Sequence, residues 1–195
     1  MLHYSNMTNL TVCGLDECGR GALAGPLVAA AAIIKNKKNF IKNCPTPIRD
    51  SKKLTKLART KLFEFIKSQN VTFKIKEISV NNINNKGISW ANKQIFLTLT
   101  NQIKADQYIV DGNISFEQQN ITSQIKADND VIEVAIASTI AKVYRDNLMA
   151  KLGEKHPHYC WHQNAGYGTL AHRQAILDHG PCLHHRTLFI RKISI

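Results

Sequence analysis

Apolar residues along the chain change their period several times, and each change marks a new element. Residues 10–16 alternate and read as a strand. After a glycine-rich corner, Leu27–Ile34 is an apolar run of strand length, and the two segments form an antiparallel hairpin. Residues 35–53 read as a basic loop broken by Pro45 and Pro47. A helical stripe follows at Leu54, Ala58, Leu62, Phe65 and Ile66, with Thr55 as its N-cap. Val71–Ile78 alternates again, and 81–87 reads as a turn region. A second helix spans 88–104, with Ile88, Ala91, Ile95, Leu99 and Ile103 on its buried stripe. Gln107–Val110 is a short strand ending in Asp111-Gly112-Asn113. Ile121–Ala127 is another strand, ending at Asp128. A long helix spans 131–152, and Asp130-x-x-Glu133 has the spacing of a capping box at its start. Beyond Gly153 the chain is rich in His, Pro and Gly. One more helix, 170–179, stops at Gly180-Pro181.

This order predicts an α/β fold with a mixed central sheet flanked by helices. The early hairpin excludes a purely parallel sheet. No internal repeat or low-complexity linker divides the 195 residues, which suffice for one core. The expectation is a single domain over 1–195, with about 153–195 as a smaller helical part packed on it.

Charge sharpens this picture. Lys and Arg total 26 against 14 acids, a formal net charge of +12, which favours polyanionic partners and nucleic acid first. The excess is concentrated between Lys35 and Lys61, where Lys35, Lys37, Lys38, Lys42, Arg49, Lys52, Lys53, Lys56, Arg59 and Lys61 face Asp50 alone. The five cysteines form no CxxC pair, which suits free thiols in a reducing compartment. With no signal-like N-terminus and no apolar run of membrane-spanning length, the expected location is cytoplasmic.

Against that basic background the acids stand out. Asp16-Glu17 abuts Gly19-Arg20-Gly21 between two apolar strands, where unneutralised carboxylates are costly. Asp16, Asp111 and Asp128 each fall at a strand end, and strand ends of one sheet can converge on one edge. Asp111 before Gly-Asn also fits a plain turn. Asp128 is left without a local task, because Asp130 is the better cap. In an ideal strand Asp16 and Glu17 point to opposite faces, so both reach one metal only if the backbone turns at Glu17. Carboxylates without accompanying His or Cys suit hard cations, Mg²⁺ or Mn²⁺. In a basic protein such a site points to phosphoryl chemistry on nucleic acid, with two ions about 4 Å apart serving an in-line displacement.

These residues resemble the ribonuclease HII family. The resemblance runs nearly end to end: GLDECGRGALAGPLVAAAAII at 14–34, DSKKLT at 50–55, VDGN at 110–113, KADNDVIEVAIASTIAKVYRD at 126–146, NAGYGTLAH at 164–172 and HGP at 179–181. It implies a ribonuclease H-like fold. It also implies an endoribonuclease that hydrolyses the RNA strand of RNA–DNA hybrids and nicks 5′ of single ribonucleotides embedded in duplex DNA, the incision step of ribonucleotide excision repair. The products would carry 3′-hydroxyl and 5′-phosphate ends. By the resemblance, Asp16, Glu17, Asp111 and Asp128 are the metal-binding and catalytic acids, holding two Mg²⁺ or Mn²⁺ ions. Gly19, Arg20 and Gly21 would read the 2′-hydroxyl, which distinguishes ribonucleotide from deoxyribonucleotide. Tyr167, which on its own reads as a core or turn tyrosine, would pack on the neighbouring deoxyribose. Lys52, Lys53 and Arg186 would contact phosphates. Four positions depart from the family pattern: Cys18, Gly87, Ala165, and His185-Arg186-Thr187-Leu188-Phe189, which lacks a second Arg and a Ser. They bear on phosphate contacts rather than on the metal site. The expected state is a monomer with no membrane partner.

Two other classes share some of these features. A non-catalytic nucleic-acid-binding module fits the basic stretch, but clustered acids would repel phosphate without metal. Another nuclease of the same fold, such as a junction resolvase, is disfavoured by the Gly-Arg-Gly corner. A zinc site could be assembled from His156, His158, Cys160, His162, His172, His179, Cys182, His184 and His185, but their spacing matches no paired-ligand pattern.

Overall fold

The computed structural model describes residues 10–46, 48 and 54–193. Five strands form one mixed sheet in the order β3-β2-β1-β4-β5: β1 (Val12–Cys18), β2 (Leu27–Ile34), β3 (Val71–Ile78), β4 (Gln107–Asp111) and β5 (Ile121–Gln124). β1–β2 and β2–β3 are antiparallel, whereas β1–β4 and β4–β5 are parallel. The expected hairpin and mixed sheet are both present.

The sheet is buried on both faces, which explains why β2 reads as a continuous apolar run. Cys13, Leu15, Leu27, Ala29, Ala31 and Ile33 face a layer built on α4 (Ile88–Gln102). Cys18, Val28, Ala30, Ala32 and Ile34 face α2 (Lys56–Ser68) and the 24-residue α6 (Ile132–Lys155). The small residues let α6 come close. A Cβ on Gly14 would lie 2.2 Å from the carbonyl carbon of Glu133 and the amide nitrogen of Val134, so the first turn of α6 rests directly on the backbone of β1. A third cluster joins Leu23 and Ala24 of the corner, Met149 of α6, and Tyr159, Trp161, Ala175 and Ile176. The last four come from the short 3₁₀ turn Pro157–Tyr159, α7 (Trp161–Asn164) and α8 (Leu170–His179).

Three local expectations are corrected. The basic 35–53 segment contains a helix, α1 (Lys37–Asn43): Asn36 caps it by accepting from the Asn39 amide at 3.0 Å, and its buried residue, Phe40, packs on Phe65 with ring centroids 5.1 Å apart. One apolar anchor among lysines leaves almost no periodic signal. The 81–87 turn region is likewise a helix, α3 (Val80–Lys86), capped by Ser79 and ended by Gly87 at φ +82. Asparagine is a weak helix former, but here the cap and the burial of Val80 and Ile83 override propensity. Finally, β5 stops at Gln124, and Asp128 sits on a one-turn helix, α5 (Ala127–Asp130), entered through Lys126 in the left-handed region at φ +59. Asp130 therefore does not cap α6. Its carboxylate accepts from the Gln124 amide at 3.1 Å, and Glu133 instead pairs with Lys37 at 2.8 Å. Thr55, by contrast, caps α2 as expected. Among the described residues no helix is long and apolar enough to cross a membrane.

Candidate active site

The parallel β1–β4 pair sets the first half of the site. Its last register pair is Leu15 opposite Val110, so Asp16 and Asp111 come next, side by side at the carboxyl ends of two strands. Asp128 reaches them from α5, because α6 is pressed onto Gly14 and the chain just before α6 must pass the same sheet edge. One carboxylate oxygen from each of Asp16, Asp111 and Asp128 lies within 4.8 Å of the others. Asp16 and Asp128 are buried and Asp111 is half-buried. Local bonds orient them: Asp16 accepts from the Glu17 amide at 2.7 Å, and Asp111 accepts from the Ala127 amide at 2.9 Å, tying β4 to α5. The adjoining Gly112 carbonyl accepts from the Ser123 hydroxyl at 2.7 Å, and the Gly112 amide donates to the Gln124 carbonyl.

Three converging carboxylates are an all-oxygen donor set of high negative charge, which suits a divalent Mg²⁺ or Mn²⁺ better than a thiophilic ion. Among the described residues this is the group whose ligand atoms could hold a metal, and the His/Cys residues form none. The imidazoles are engaged elsewhere, packed against one another and against Tyr159 and Trp161. Glu17 lies outside the three-carboxylate group. Strand alternation sends Asp16 and Cys18 to the α6 side and gives Glu17 the opposite parity, and Glu17 borders the neighbouring cleft.

That cleft, of about 330 Å³, is lined by Glu17–Gly21, Arg59, Ser138, Thr139, Lys142 and Tyr167. Its wall is the 19–26 corner, held by two fully buried arginines. Arg145 of α6 donates to the carbonyls of Ala24 (3.0 Å), Pro26 (3.0 Å) and Ala165 (2.8 Å). Arg186 donates twice to Gly25 (3.0 and 2.9 Å) and once to Arg20 (2.9 Å). Arg186 was expected at a phosphate. It is 0% exposed and each of its three nitrogens donates to a backbone carbonyl of the corner, so it buttresses the corner instead. Burial and the nearby Arg145 guanidinium pull it below the ordinary arginine range. Lys52 and Lys53 lie outside the described residues.

Within the corner, Gly19 has φ +92, and a Cβ there would sit 2.0 Å from Arg145 Nε. Gly21 is exposed, and a Cβ there would meet nothing within 4 Å, so its backbone faces open space. The Arg20 side chain is exposed. Opposite the corner, Tyr167 sits on a strap at 164–168. The Gly166 carbonyl accepts from the amides of Leu23 (2.8 Å) and Ala24 (3.2 Å), which locks strap to corner. Burial pushes the Tyr167 phenol up to about 12, keeping it neutral. Its ring lies under Arg145 (5.4 Å) and Lys142 (5.7 Å), and its hydroxyl is 4.0 Å from the Cys18 thiol. Arg59 belongs to the basic stretch read from the sequence, whereas Ser138, Lys142 and Arg145 carry no such composition signal. Their signal is one of spacing: 138, 142 and 145 fall at i, i+4 and i+7 on one face of α6.

The ribonuclease HII family model matches residues 13–192. The ribonuclease HII of Rickettsia rickettsii (strain Sheila Smith) is 41% identical over 192 residues, spanning 97% of this chain and 96% of its own. The structure is similar to that of ribonuclease H2 from Pyrococcus horikoshii OT3 (TM-score 0.78, 25% identity, 94% and 97% of the two chains). It is similar in fold to the ribonuclease HII of the PCNA complex from Archaeoglobus fulgidus (TM-score 0.80, 24% identity, 93% and 94%). A match this long, with the acid cluster and the glycine corner inside it, leaves one conclusion: the chain belongs to the ribonuclease HII family and is a ribonuclease, a hydrolase acting on RNA–DNA hybrids.

Proposed function

We propose that this protein cuts the RNA strand of RNA–DNA hybrids and nicks duplex DNA on the 5′ side of single embedded ribonucleotides, leaving 3′-hydroxyl and 5′-phosphate ends. The observation that carries this reading is a juxtaposition. Three carboxylates converge at the sheet edge, and one of them, Asp16, lies three residues ahead of Gly19 and five ahead of Gly21, whose exposed backbone can approach a sugar without a side chain between them.

Asp16, Asp111 and Asp128 would hold the divalent ions, with Glu17 as a fourth acid at the cleft border. Bound Mg²⁺ or Mn²⁺, two ions in the active complex, supplies Lewis acidity for phosphodiester hydrolysis. The chain's own residues do the selecting. The Gly19–Gly21 backbone accepts or donates to the ribose 2′-hydroxyl, a contact that deoxyribose cannot return. Arg20, exposed with its carbonyl fixed by Arg186, is free to meet the flanking phosphate. Tyr167 presents an apolar ring to the next sugar, where a 2′-hydroxyl is absent. Arg59 and Lys142 add positive charge to the cleft wall for the phosphate backbone.

The test is a duplex carrying one ribonucleotide, incubated with Mg²⁺ or with Mn²⁺. Nicking on the 5′ side of the ribonucleotide is expected, with an all-DNA duplex left intact. Asp16→Asn should abolish turnover while the protein still binds the duplex. No nicking by folded protein in either metal overturns the reading, and equal cutting of all-DNA overturns the role given to the corner.

A further inference from the structure

Behind the Tyr167 strap lies a pair of imidazoles that hydrolysis does not call for. His172 of α8 and His185 are 0% and 2% exposed, and their Nε2 atoms are 3.1 Å apart. Their other partners allow no choice of direction. The Trp161 indole N–H can only donate, and it meets His172 Nε2 at 3.0 Å. The Tyr167 carbonyl can only accept, and it lies 2.9 Å from His172 Nδ1. The Cys182 amide can only donate, and it meets His185 Nδ1 at 3.0 Å. These partners assign the ring protons: His172 carries its proton on Nδ1 and accepts at Nε2, while His185 carries its proton on Nε2 and accepts at Nδ1. A continuous relay runs from the Cys182 amide through His185 and His172 to the Tyr167 carbonyl.

The relay joins the two walls of the cleft. The His185 segment pairs with the corner, through the Ala24–His185 bridge, the Gly25 amide to the His184 carbonyl (2.9 Å) and the Arg186 amide to the Leu23 carbonyl (2.8 Å). Tyr167 is on the opposite wall. We propose that His172 and His185 are positioning residues for Tyr167: their single tautomeric arrangement fixes the Tyr167 carbonyl, and so its ring, relative to the corner. This rests on the cleft being the ribonucleotide site.

No third proton fits the relay. On His172 Nε2 it would face two donors, and on His185 Nδ1 it would face an amide N–H. The titratable groups around the pair are Tyr159, whose ring is 4.6 Å from that of His185, together with His156, His184, Cys182 and the adjacent Arg186. None is an acid that would favour a cationic ring. Burial accordingly lowers His172, and burial together with the neighbouring His172 lowers His185 to about 4.

Two substitutions separate positioning from core filling. In His172→Asn an amide N–H can replace Nδ1–H toward the Tyr167 carbonyl. In His172→Gln an acceptor can replace Nε2 toward Trp161 and His185, but the strap loses its donor. With a single-ribonucleotide duplex, His172→Gln should lower kcat/KM by about tenfold or more, while His172→Asn should recover most of it, although both lower the melting temperature. Equal losses that track the melting temperature, or wild-type values in both, overturn the proposal. The wild-type protein gives an independent readout. Long-range ¹H–¹⁵N spectra of the histidine rings should show Nδ1–H on His172 and Nε2–H on His185, both neutral at pH 6. The opposite tautomers, or a cationic ring at that pH, also overturn it. Failure of the wild-type enzyme to nick would count against the proposed function, and the spectra would still decide the relay.

Discussion

Gly19 shows how far one residue's identity can be dictated by a distant one. Its φ of +92 already disfavours a side chain, and the Arg145 guanidinium occupies the space a methyl would need. Gly19→Ala is therefore expected to cost about 2 kcal/mol or more, read by chemical denaturation, and to lower nicking beyond what that loss explains, because the corner must move off Arg145. Asp16 and Asp111 could be picked out as acids at strand ends, and the structure does bring them together with Asp128. Arg186 could not be understood that way. The family resemblance implies a phosphate contact for it, but its three donated bonds go to the Gly25 and Arg20 carbonyls. Only the fold shows that Arg186 is buried against those carbonyls. Tyr167 lies between the two cases: it lines the cleft, and Arg145 lies over its ring, a contact with no trace in the local sequence.

At the scale of elements, the site depends on one contact, α6 on β1. The 24-residue helix crosses the sheet at Gly14, and this contact fixes where α5 and Asp128 fall relative to Asp16. Gly14→Ala would drive a methyl to 2.2 Å from the backbone of Glu133 and Val134, where no side chain can give way. A loss of about 3 kcal/mol in stability is expected from equilibrium unfolding, together with weakened metal binding by calorimetry as Asp128 is displaced. Periodicity made the long helix and most of the sheet legible, because each buries a continuous face. It missed α1 and α3, where a single cap and one or two buried residues decide the matter within a polar segment. It also placed Asp128 on a strand and gave Asp130 a cap. The left-handed Lys126 turns the chain into α5 first, and a one-turn helix leaves no periodic trace.

For the whole molecule, the third cluster matters most, because it seats the C-terminal helices on the corner that walls the cleft. Its polar centre is the His172–His185 pair, and this gives the protein a defined acid sensitivity. Both imidazoles are held below their ordinary value, so the folded state binds fewer protons than the unfolded chain between about pH 6.5 and 4. The stabilisation is complete above the unfolded value and is lost as pH falls through that window. Unfolding midpoints in denaturant measured at pH 7, 6, 5 and 4 should decline across this range, and His185→Gln should flatten the decline while lowering the plateau. An unchanged pH slope in that variant would assign the acid loss to carboxylates instead.

The sequence by itself determined the layered α/β fold, the mixed sheet, the nucleic-acid-directed charge and the acids at strand ends. These follow from local periodicity, composition and short motifs, which are properties of neighbouring residues. Only the tertiary structure decided which acids meet, where Asp128 stands, and that Arg145 and Arg186 brace the 19–26 corner. It alone disclosed the imidazole relay, because His172, His185, Trp161 and Tyr167 are brought together by packing across segments, and a hydrogen-bond network has no period in the chain.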